Sequence, residues 1–547
     1  MKKIIISLPA LLLLLFIAGC KKLDLSPKDQ VSDASFWKKP TDFQLAANDF
    51  YYSLIGAHNY TELNSDIAFG SGPNPVSNGS YLPEATSAIW DDSYKWIRAT
   101  NYLLQKAEES GLGEQIDRWK GEALFFRAYN YWKLVKTFGG VPLIDKVLEV
   151  TSEELYSGKA TQKEIIDFII NDLQQAAELM PKQSQLTGDE MGRVTQGTAQ
   201  SLLARVALYQ GTWAKYHNEG EGDYLDKAIQ AAEAVINSGE YELYTARGAD
   251  SYKHLFILAG DDSKEVILAR RYYALRATHN WTRELWFNAM VPTKNLADMY
   301  LAKDGLPIDE SPLFKGYNTL TSEFQDRDPR MSQTFIVPGS TIFFEGGIWQ
   351  PTFPGFTGTN ATRTGYMLRK FLDETIDAAT FRGEYDFKEI RYAEVLLILA
   401  EALYEKNGSI SDADLNRTIN LVRARVNMPA LTNAFVTSNG LNMLEEIRRE
   451  RTVELAFEGF RRDDLRRWKL AETVMPNALR GVKFVGTEYA SKYPDLEVGV
   501  DIQVDANGFI IAEPSAARAF ADKHYLNPIP LQQIQLSKGN LEQNPGW

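Results

Sequence analysis

Apolar residues recur at three- and four-residue spacing over several long stretches of the chain, which is the pattern of amphipathic α-helices. We expect Gly139-Gly140 with Pro142, and then Pro181, to end two of these helices. The spacing predicts helices over Phe43–Leu54, Ile89–Ala107, Asp117–Phe138, Gln162–Leu179, Thr198–Trp213, Tyr224–Asn237, Ile390–Glu405 and Asp412–Val426. The fold is therefore predicted to be mostly α, built around one large helical body.

Small residues alternate with large ones inside these helices. Alanine lies close to tyrosine in the pairs Ala128 and Tyr129, Ala204 and Tyr209, and Ala400 and Tyr404. Small-against-large packing is typical of helix hairpins in tetratricopeptide proteins, although the 34-residue repeat is not detectable here. Ser411 or Asp412 is expected to cap the last of the predicted helices.

The helical pattern lapses in three stretches that are rich in aromatic residues, glycine and proline. They are His58–Ala88, Glu240–Asp386 and Val482–Pro514. Short β-like runs at Glu265–Ala269 and Thr341–Phe344 predict a few strands within a loop-rich subdomain. In the third stretch, a hairpin is predicted in which Gln503–Val504 pairs with Phe509–Ile511 across an Asn-Gly turn.

The most highly charged stretch runs from Glu445 to Lys469 and contains seven acidic and eight basic residues. Glu450, Glu454 and Glu458 recur at four-residue spacing and so share one helix face. Gly459 is expected to end this helix and Asp463 to cap the next. A nucleic-acid surface would carry one sign of charge, so we interpret the stretch as an ion-pair network between two helices.

The N-terminus has the features of a lipoprotein signal peptide. Lys2 and Lys3 precede a 15-residue apolar run that is too short to span a bilayer comfortably. The run leads into Ile17-Ala18-Gly19-Cys20, which fits a lipobox, and Cys20 is the single cysteine of the chain. Acylation of Cys20, for example by palmitate, is the predicted modification, and an uncleaved anchor helix is the alternative.

Together these patterns predict five parts of the chain. They are a signal peptide (1–19), a lipidated tether (20–35), an N-terminal helical part (36–240), a loop-rich ligand subdomain (241–386) and a C-terminal helical part (387–547).

Composition and motifs argue against most enzymatic functions. The net charge of −13 and the pI of 5.2 are those of a protein that does not bind nucleic acid in general. The five histidines are scattered without metal-ligand spacing, and neither a Gly-x-Ser-x-Gly elbow nor a Walker loop is present. We therefore predict no catalytic residues, no metal and no cofactor. A glycoside hydrolase stays an alternative, because its two carboxylates need no recognisable motif.

Aromatic residues in the irregular stretches are candidates for sugar contacts, because aromatic faces stack on sugar rings while amide and guanidinium groups bond to hydroxyls. Tyr272 and Tyr273 belong to this class. The predicted ligand-binding residues are Trp281, Trp286, Trp349, Tyr60, Tyr81, Asn280, Arg283 and Asn74. The alternative for each aromatic residue is that it anchors its loop to the scaffold.

Several motifs in one order along the chain carry a family resemblance. They are GEALFFRAYNYWKLVKTFGGVPLI (Gly121–Ile144), QDRDPRM (Gln325–Met331), IRYAEVLLILAEALYE (Ile390–Glu405), INLVRARVNMPAL (Ile419–Leu431), ERTVELAFEGFRRDDLRRW (Glu450–Trp468) and YLNPIPLQQIQLSKGNLEQNPGW (Tyr525–Trp547). With them the chain resembles the SusD/RagB family of surface nutrient-binding lipoproteins.

The resemblance implies both a fold and a role. It implies four tetratricopeptide-like helix hairpins and a lipid anchor on the outer membrane, facing the cell exterior. It also implies that the protein captures an oligosaccharide and acts as the lid of a SusC-like TonB-dependent transporter, without breaking a bond. Peptide or other non-glycan cargo, and an adhesin or assembly role without a small ligand, are the alternatives.

Overall fold

The computed structural model describes residues 33, 35–220, 222–344, 347–349, 356, 361–374 and 382–547. The N-terminal helices are α1 (Pro40–Asn48), α2 (Pro75–Asn78), α3 (Ala88–Ser110), α4 (Asp117–Phe138), α5 (Gln162–Leu179), α6 (Gln196–His217) and α7 (Tyr224–Asn237). The later helices are α8 (Ser251–Leu255), α9 (Trp281–Trp286), α10 (Lys294–Met299), α11 (Pro329–Thr334), α12 (Tyr392–Asn407), α13 (Asp412–Asn416), α14 (Ile419–Arg425), α15 (Asn433–Ser438), α16 (Met443–Glu454), α17 (Arg461–Arg467), α18 (Ala471–Val474), α19 (Glu488–Lys492) and α20 (Leu531–Leu536).

The long helices form the larger core of the molecule. Helices α3 to α7 pack in chain order, each against the next, and α12 packs against α7. Local sequence fixes where they begin: Thr161 and Glu164 exchange hydrogen bonds in a capping box before α5. Met180 precedes Pro181 and is extended, which ends α5 at Leu179. The predicted mostly-α fold is confirmed, with 50% helix and 7% strand.

A second hydrophobic core, separate from the first, contains Tyr252, Trp281, Tyr300, Phe335 and Phe457. Short two-stranded antiparallel ribbons border it. The strands are β1 (Ala68–Phe69), β2 (Val266–Arg270), β3 (Val291–Pro292), β4 (Ile342–Phe344), β5 (Gly347–Trp349), β6 (Phe387–Arg391), β7 (Leu479–Lys483) and β8 (Phe509–Glu513). They pair as β1 with β3, β2 with β6, β4 with β5, and β7 with β8.

Three predicted helices reproduce the observed bounds, and three others need correction. Phe43–Leu54 is wrong in extent, because α1 ends at Asn48 and tightens into a 3-10 turn. Ile390 belongs to β6, so α12 begins only at Tyr392. Asp412–Val426 divides into two helices at Thr418, whose hydroxyl donates to the Asp414 carbonyl. Ser411, not Asp412, provides the predicted cap by accepting from Asp414 N–H.

The predicted strands and hairpin are also present, with one addition. β2 and β4 fall within a residue of the predicted runs. Ile511 N–H donates to the Gln503 carbonyl at 2.8 Å, as expected of the hairpin. The same segment, β8, pairs in addition with β7, which the sequence pattern did not indicate. The tetratricopeptide detail and the five-part division of the chain stay predictions.

The charged stretch takes part in a buried ion-pair network, and the predicted pairing between its two helices is present: Arg451 on α16 donates to Asp464 on α17 at 2.9 Å.

The same stretch also pairs with arginines that lie outside it, which the sequence pattern did not indicate. Glu454 on α16 accepts hydrogen bonds from Arg330 at 3.0 Å, Arg391 at 2.7 Å and Arg425 at 2.6 Å. Glu450 also accepts a hydrogen bond from Arg330, at 2.6 Å. Burial by itself raises the pKa of Glu454, but the three guanidinium groups outweigh it and hold that pKa well below the usual range.

Two further acidic residues of this stretch, Glu458 and Asp463, also pair with basic side chains. Glu458 lies beyond the end of α16 and accepts from Arg391 and Lys370. The prediction that Gly459 ends this helix is wrong, because α16 already ends at Glu454. Gly459 lies beyond it and has the positive φ of a chain reversal, +88°. The prediction that Asp463 caps α17 is wrong: it lies inside the helix, where it accepts a hydrogen bond from Lys136 at 2.9 Å.

Glu454→Gln should lower the free energy of unfolding by about 3–5 kcal/mol, because three buried guanidinium groups would lose their shared carboxylate. Denaturant unfolding at neutral pH measures this loss. The folded-state pKa of Glu454 is depressed, so its contribution is present above its unfolded pKa of about 4.5 and is lost as the pH falls through the folded value. The difference between wild type and variant should shrink in acid. Exposed Glu109→Gln is the control and should change nothing; equal effects of the two variants would contradict the network's importance.

Candidate functional site

A cleft of about 400 Å³ opens between the end of α1, the loop before α6 and the end of β2. Its volume lies in the range of small-molecule sites. The lining residues are Asn48, Asp49, Tyr51, Tyr52, Leu54, Met191, Gly192, Arg193, Ala269, Arg270, Arg271, Tyr272 and Ala277. The cleft thus combines aromatic, amide and charged side chains at the border between the helical body and the loop-rich part.

The back wall of the cleft is held rigidly by a buried carboxylate. The Glu122 carboxylate on α4 accepts hydrogen bonds from Arg193 Nε and Nη2 at 2.9 and 2.7 Å. The Tyr51 hydroxyl donates to the same carboxylate at 3.1 Å and accepts from Val194 N–H at 2.9 Å. Arg193 Nη1 reaches Asn48 Oδ1 at 2.5 Å. These bonds join three separate chain segments, so the wall is formed before any ligand arrives.

Two glycines leave the space that the β2 side of the cleft needs. A Cβ atom at Gly56 would lie 2.7 Å from the Tyr272 hydroxyl oxygen. A Cβ atom at Gly192 would lie 2.5 Å from Arg271 Cδ, and the φ angle of Gly192 is +88°. A side chain at either position would force the Tyr272 or Arg271 side chain to shift. The glycines therefore allow Tyr272 and Arg271 to lie along the cleft.

Asp386 fixes the same two residues from the other side. Its Oδ1 atom accepts Tyr272 N–H at 2.8 Å, and its Oδ2 atom lies 3.3 Å from Arg271 Nε. The Tyr272 hydroxyl in turn accepts Ala57 N–H at 3.0 Å. Burial raises the pKa of Asp386 to about 6, and the nearby Asp261 carboxylate adds to the rise.

The rim of the cleft exposes large side chains to solvent. Tyr52 is 69% exposed and Tyr273 is 51% exposed, while Met191 is 49% exposed. The Arg271 guanidinium lies 5.5 Å from the centre of the Tyr273 ring. Exposed rings next to a cleft are available to stack on a ligand, because no protein core covers them.

A second group of polar and aromatic residues adjoins the cleft. The Tyr272 ring contacts His279, and His279 contacts His58, at centroid distances of 4.8 and 6.3 Å. His58 Nε2 bonds to Asn280 Oδ1, whose amide nitrogen donates to Glu284 at 2.9 Å. Burial lowers the pKa of His279 to about 4, so this imidazole is neutral at physiological pH.

Two protein-family models match this chain. A family model described as the SusD family matches residues 262–547, and one described as starch-binding and associating with the outer membrane matches residues 45–208. The chain belongs to the SusD family. SusD-like protein P2 of Formosa agariphila is 26% identical over 86% of this chain and 92% of its own length. A SusD-like protein of Bacteroides ovatus is 24% identical over 81% of this chain and 79% of its own.

Solved structures agree with this membership in the SusD family. A SusD-like carbohydrate-binding protein from Bacteroides fragilis superposes with a TM-score of 0.77 at 27% identity, over 92% of this chain and 99% of that one. A laminarin-binding SusD-like protein shares the fold with a TM-score of 0.57 at 22% identity, over 93% of this chain and all of that one.

The predicted ligand residues of this SusD-family protein fall into separate places. Trp281 is 1% exposed and belongs to the second core, where the Tyr60 ring lies 5.0 Å from it. Tyr60 is partly exposed, and its hydroxyl reaches Glu284 at 3.4 Å. Burial, followed by the charge of Glu284, raises the pKa of Tyr60 to about 12. Asn280 lies in the same group, so three of the predicted residues do come together.

The other predicted residues lie elsewhere. Trp286 is half-buried against a small apolar cluster, and the Arg283 guanidinium lies 4.8 Å from the Phe287 ring. Asn74 caps α2, accepting from Val76 and Ser77 N–H. Tyr81 packs against Trp547 at the C-terminus. Their ligand roles stay predictions, as do those of the group around Asn280.

Two predictions fall wholly or partly outside what the structure describes. Trp349 ends β5, where its backbone pairs with Ile342, but its side chain is outside the described residues. Cys20, with the signal peptide, also lies outside them.

Sequence reasoning missed Tyr52, Arg270 and Arg271. Tyr52 was assigned to an amphipathic helix, although in Tyr51-Tyr52 adjacent rings cannot both face the core. The Arg-Arg-Tyr-Tyr run at residues 270–273, directly after a predicted strand, was the other available signal.

The described residues include no group of three or more His, Cys, Asp or Glu side chains suited to hold a metal ion. Within the same residues, no helix combines the length and apolar character needed to cross a membrane.

Gly192→Ala should destabilise the protein more than Gly188→Ala. Both glycines have positive φ, so each substitution costs about 1–2 kcal/mol of unfolding free energy. Only at position 192 would the new Cβ also clash with Arg271, whereas nothing lies within 4 Å of it at position 188. We expect an additional loss of about 1 kcal/mol or more for Gly192→Ala in denaturant unfolding. Equal losses for the two variants would contradict the close packing of Arg271 against this loop.

Proposed function

We propose that this protein captures an oligosaccharide in the cleft beside Tyr272 and delivers it to a SusC-like TonB-dependent outer-membrane transporter, for which it acts as the lid. The observation that carries the proposal is a preformed cleft with the exposed Tyr52 ring in its lining and the exposed Tyr273 ring on the adjacent turn, where Tyr273 pairs with the lining residue Ala277. Membership of the SusD family supports a glycan as the ligand. The ligands of two similar solved proteins, a carbohydrate and laminarin, agree with that class.

The cleft favours binding over hydrolysis. A glycoside hydrolase needs two carboxylates facing each other across the bound sugar. Among the described residues that line the cleft, Asp49 carries the one carboxylate. The Glu284 carboxylate nearby is engaged by Asn280 and Tyr60. Capture without bond cleavage is therefore the better-supported mechanism.

A second cleft, of about 360 Å³, is a weaker candidate for the glycan site. It lies between α3, residues 142–157 and α20. Its aromatic residues serve the scaffold: Trp90 is buried, and the Tyr94 hydroxyl donates to the Pro142 carbonyl at 2.7 Å. No ring in its described lining is exposed in the way that Tyr52 and Tyr273 are.

Tyr52→Ala and Tyr273→Ala should each weaken oligosaccharide binding about fivefold, because a stacked ring contributes about 1 kcal/mol. Calorimetry with a panel of oligosaccharides and the soluble chain lacking residues 1–20 measures the loss, with hydrolysis products monitored in the same samples. Tyr52→Phe is the control, since it keeps the ring and should keep the affinity.

Each other outcome has a distinct meaning. Released product would move the protein to the glycoside hydrolases. Binding that is unaffected by both alanine variants would place the glycan elsewhere on the molecule. An absence of binding to every glycan would favour peptide cargo or a structural role.

The membrane part of the proposal rests on Cys20, which we propose is acylated and anchors the protein to the outer membrane, facing the exterior. Cys20→Ser should abolish incorporation of a palmitate analogue and release the protein from the outer-membrane fraction. Cells carrying this variant should also lose uptake of the glycan, while the purified variant still binds it. Undiminished uptake by Cys20→Ser cells would contradict the lipid-anchored lid.

A further inference from the structure

The lining of the cleft is rich in arginine although the protein as a whole is acidic. The whole chain carries 59 Lys and Arg residues against 72 Asp and Glu residues. The described lining of the cleft reverses this balance, with Arg193, Arg270 and Arg271 against Asp49. An excess of arginines over carboxylates in a cleft indicates an anionic ligand, because charged clefts concentrate ligands of the opposite sign.

The three arginines differ in how far the protein neutralises them. Arg193 donates hydrogen bonds from Nε and Nη2 to the buried Glu122 carboxylate and from Nη1 to Asn48 Oδ1. Arg271 lies 3.3 Å from Asp386 and 3.4 Å from the exposed carboxylate of Asp262. Arg193 and Arg271 are therefore already paired.

Arg270, by contrast, has no carboxylate within 4.0 Å among the residues that the structure describes. Its Nη1 atom donates to the Leu54 carbonyl at 2.9 Å, which holds the guanidinium beside the cleft. Its guanidinium carbon lies 6.0 Å from the centre of the Tyr272 ring. A half-buried guanidinium that bonds to a neutral carbonyl keeps its full charge and its remaining donors for another partner.

The segment that follows β2 extends the positive charge along the rim. Beyond Arg270 and Arg271, residues 272–282 contain one further arginine, Arg276, and no acidic residue. Arg276 lies in the exposed turn in which Tyr273 and Ala277 pair, directly beside the cleft. Exposed arginine at the rim attracts an anionic ligand from solution, whereas Arg270 can bind it directly.

We propose that the glycan captured in this cleft is anionic, carrying carboxylate or sulfate ester groups that Arg270 binds while the tyrosines stack on the sugar rings. The proposal rests on the function proposed above. Guanidinium suits both anions, because its planar donors match two oxygens at once. In a half-enclosed cleft this interaction is stronger than in open water.

The test compares matched pairs of oligosaccharides by calorimetry with the soluble chain. One pair is oligogalacturonate and its carboxyl-reduced, neutral form; the other is a sulfated galactan oligosaccharide and its desulfated form. We expect the anionic member of at least one pair to bind tenfold tighter or more than its neutral counterpart. Added salt should weaken that binding, because it screens the attraction. The pair that shows the difference identifies the anion as carboxylate or sulfate.

Arg270→Gln should weaken binding of the anionic member about tenfold or more and leave binding of the neutral member within about twofold. Arg276→Gln, in an exposed turn, provides a second variant that does not depend on the bond to Leu54; it should reduce the association rate and the salt dependence. Arg417→Gln, on the distant α13–α14 turn, is the control and should change neither. Thermal unfolding of each variant checks its folding.

The outcomes separate the two proposals. Equal, salt-independent binding of anionic and neutral members would overturn the anionic specificity and leave the glycan-binding function intact. Anionic preference that survives both Arg270→Gln and Arg276→Gln would overturn the assignment to this cleft. No binding of any member of either pair, or of the wider panel, would defeat the glycan-binding function itself.

Discussion

The buried carboxylate of Glu454 is the constraint on which the middle of this structure depends. Three arginines from three different chain segments converge on it: Arg330 from α11, Arg391 from β6 and Arg425 from α14. Each of these charges would be costly to bury without a partner, so the burial of each one depends on the presence of the others. The network therefore joins the loop-rich part to the C-terminal helices as one assembly.

The ribbon of β2 and β6 connects that network to the candidate site. Glu265, immediately before β2, accepts from Arg391 and Arg425 at one end of the ribbon. At the other end Arg270 pairs with Phe387, and Asp386 next to it holds Tyr272 and Arg271. The cleft residues Arg271 and Tyr272 thus come directly after a ribbon whose opposite end is held by ion pairs. This arrangement lets a short, irregular loop present its side chains in defined positions.

The aromatic residues of the irregular stretches divide according to this architecture. Trp281 fills the second core and contacts the Tyr60 and His58 rings. Tyr52 and Tyr273, at the end of a helix and in a tight turn, have no core above them and remain exposed. A ring in a polar stretch is therefore not by itself a sign of ligand contact, because loops also need anchors.

The sequence by itself determined the helical class, the bounds of three long helices and the family. These features depend on local signals: the spacing of apolar residues, the capping box at Thr161 and the proline after α5. It also indicated that Glu450 and Glu454 share a helix face and pair with cations, whereas Glu458 lies beyond the end of that helix. Only the tertiary structure decided which cations these are, since Arg330 lies 124 residues from Glu454 along the chain. The same holds for the cleft, where α1, the loop before α6 and β2 meet, because no local pattern encodes which distant segments pack together.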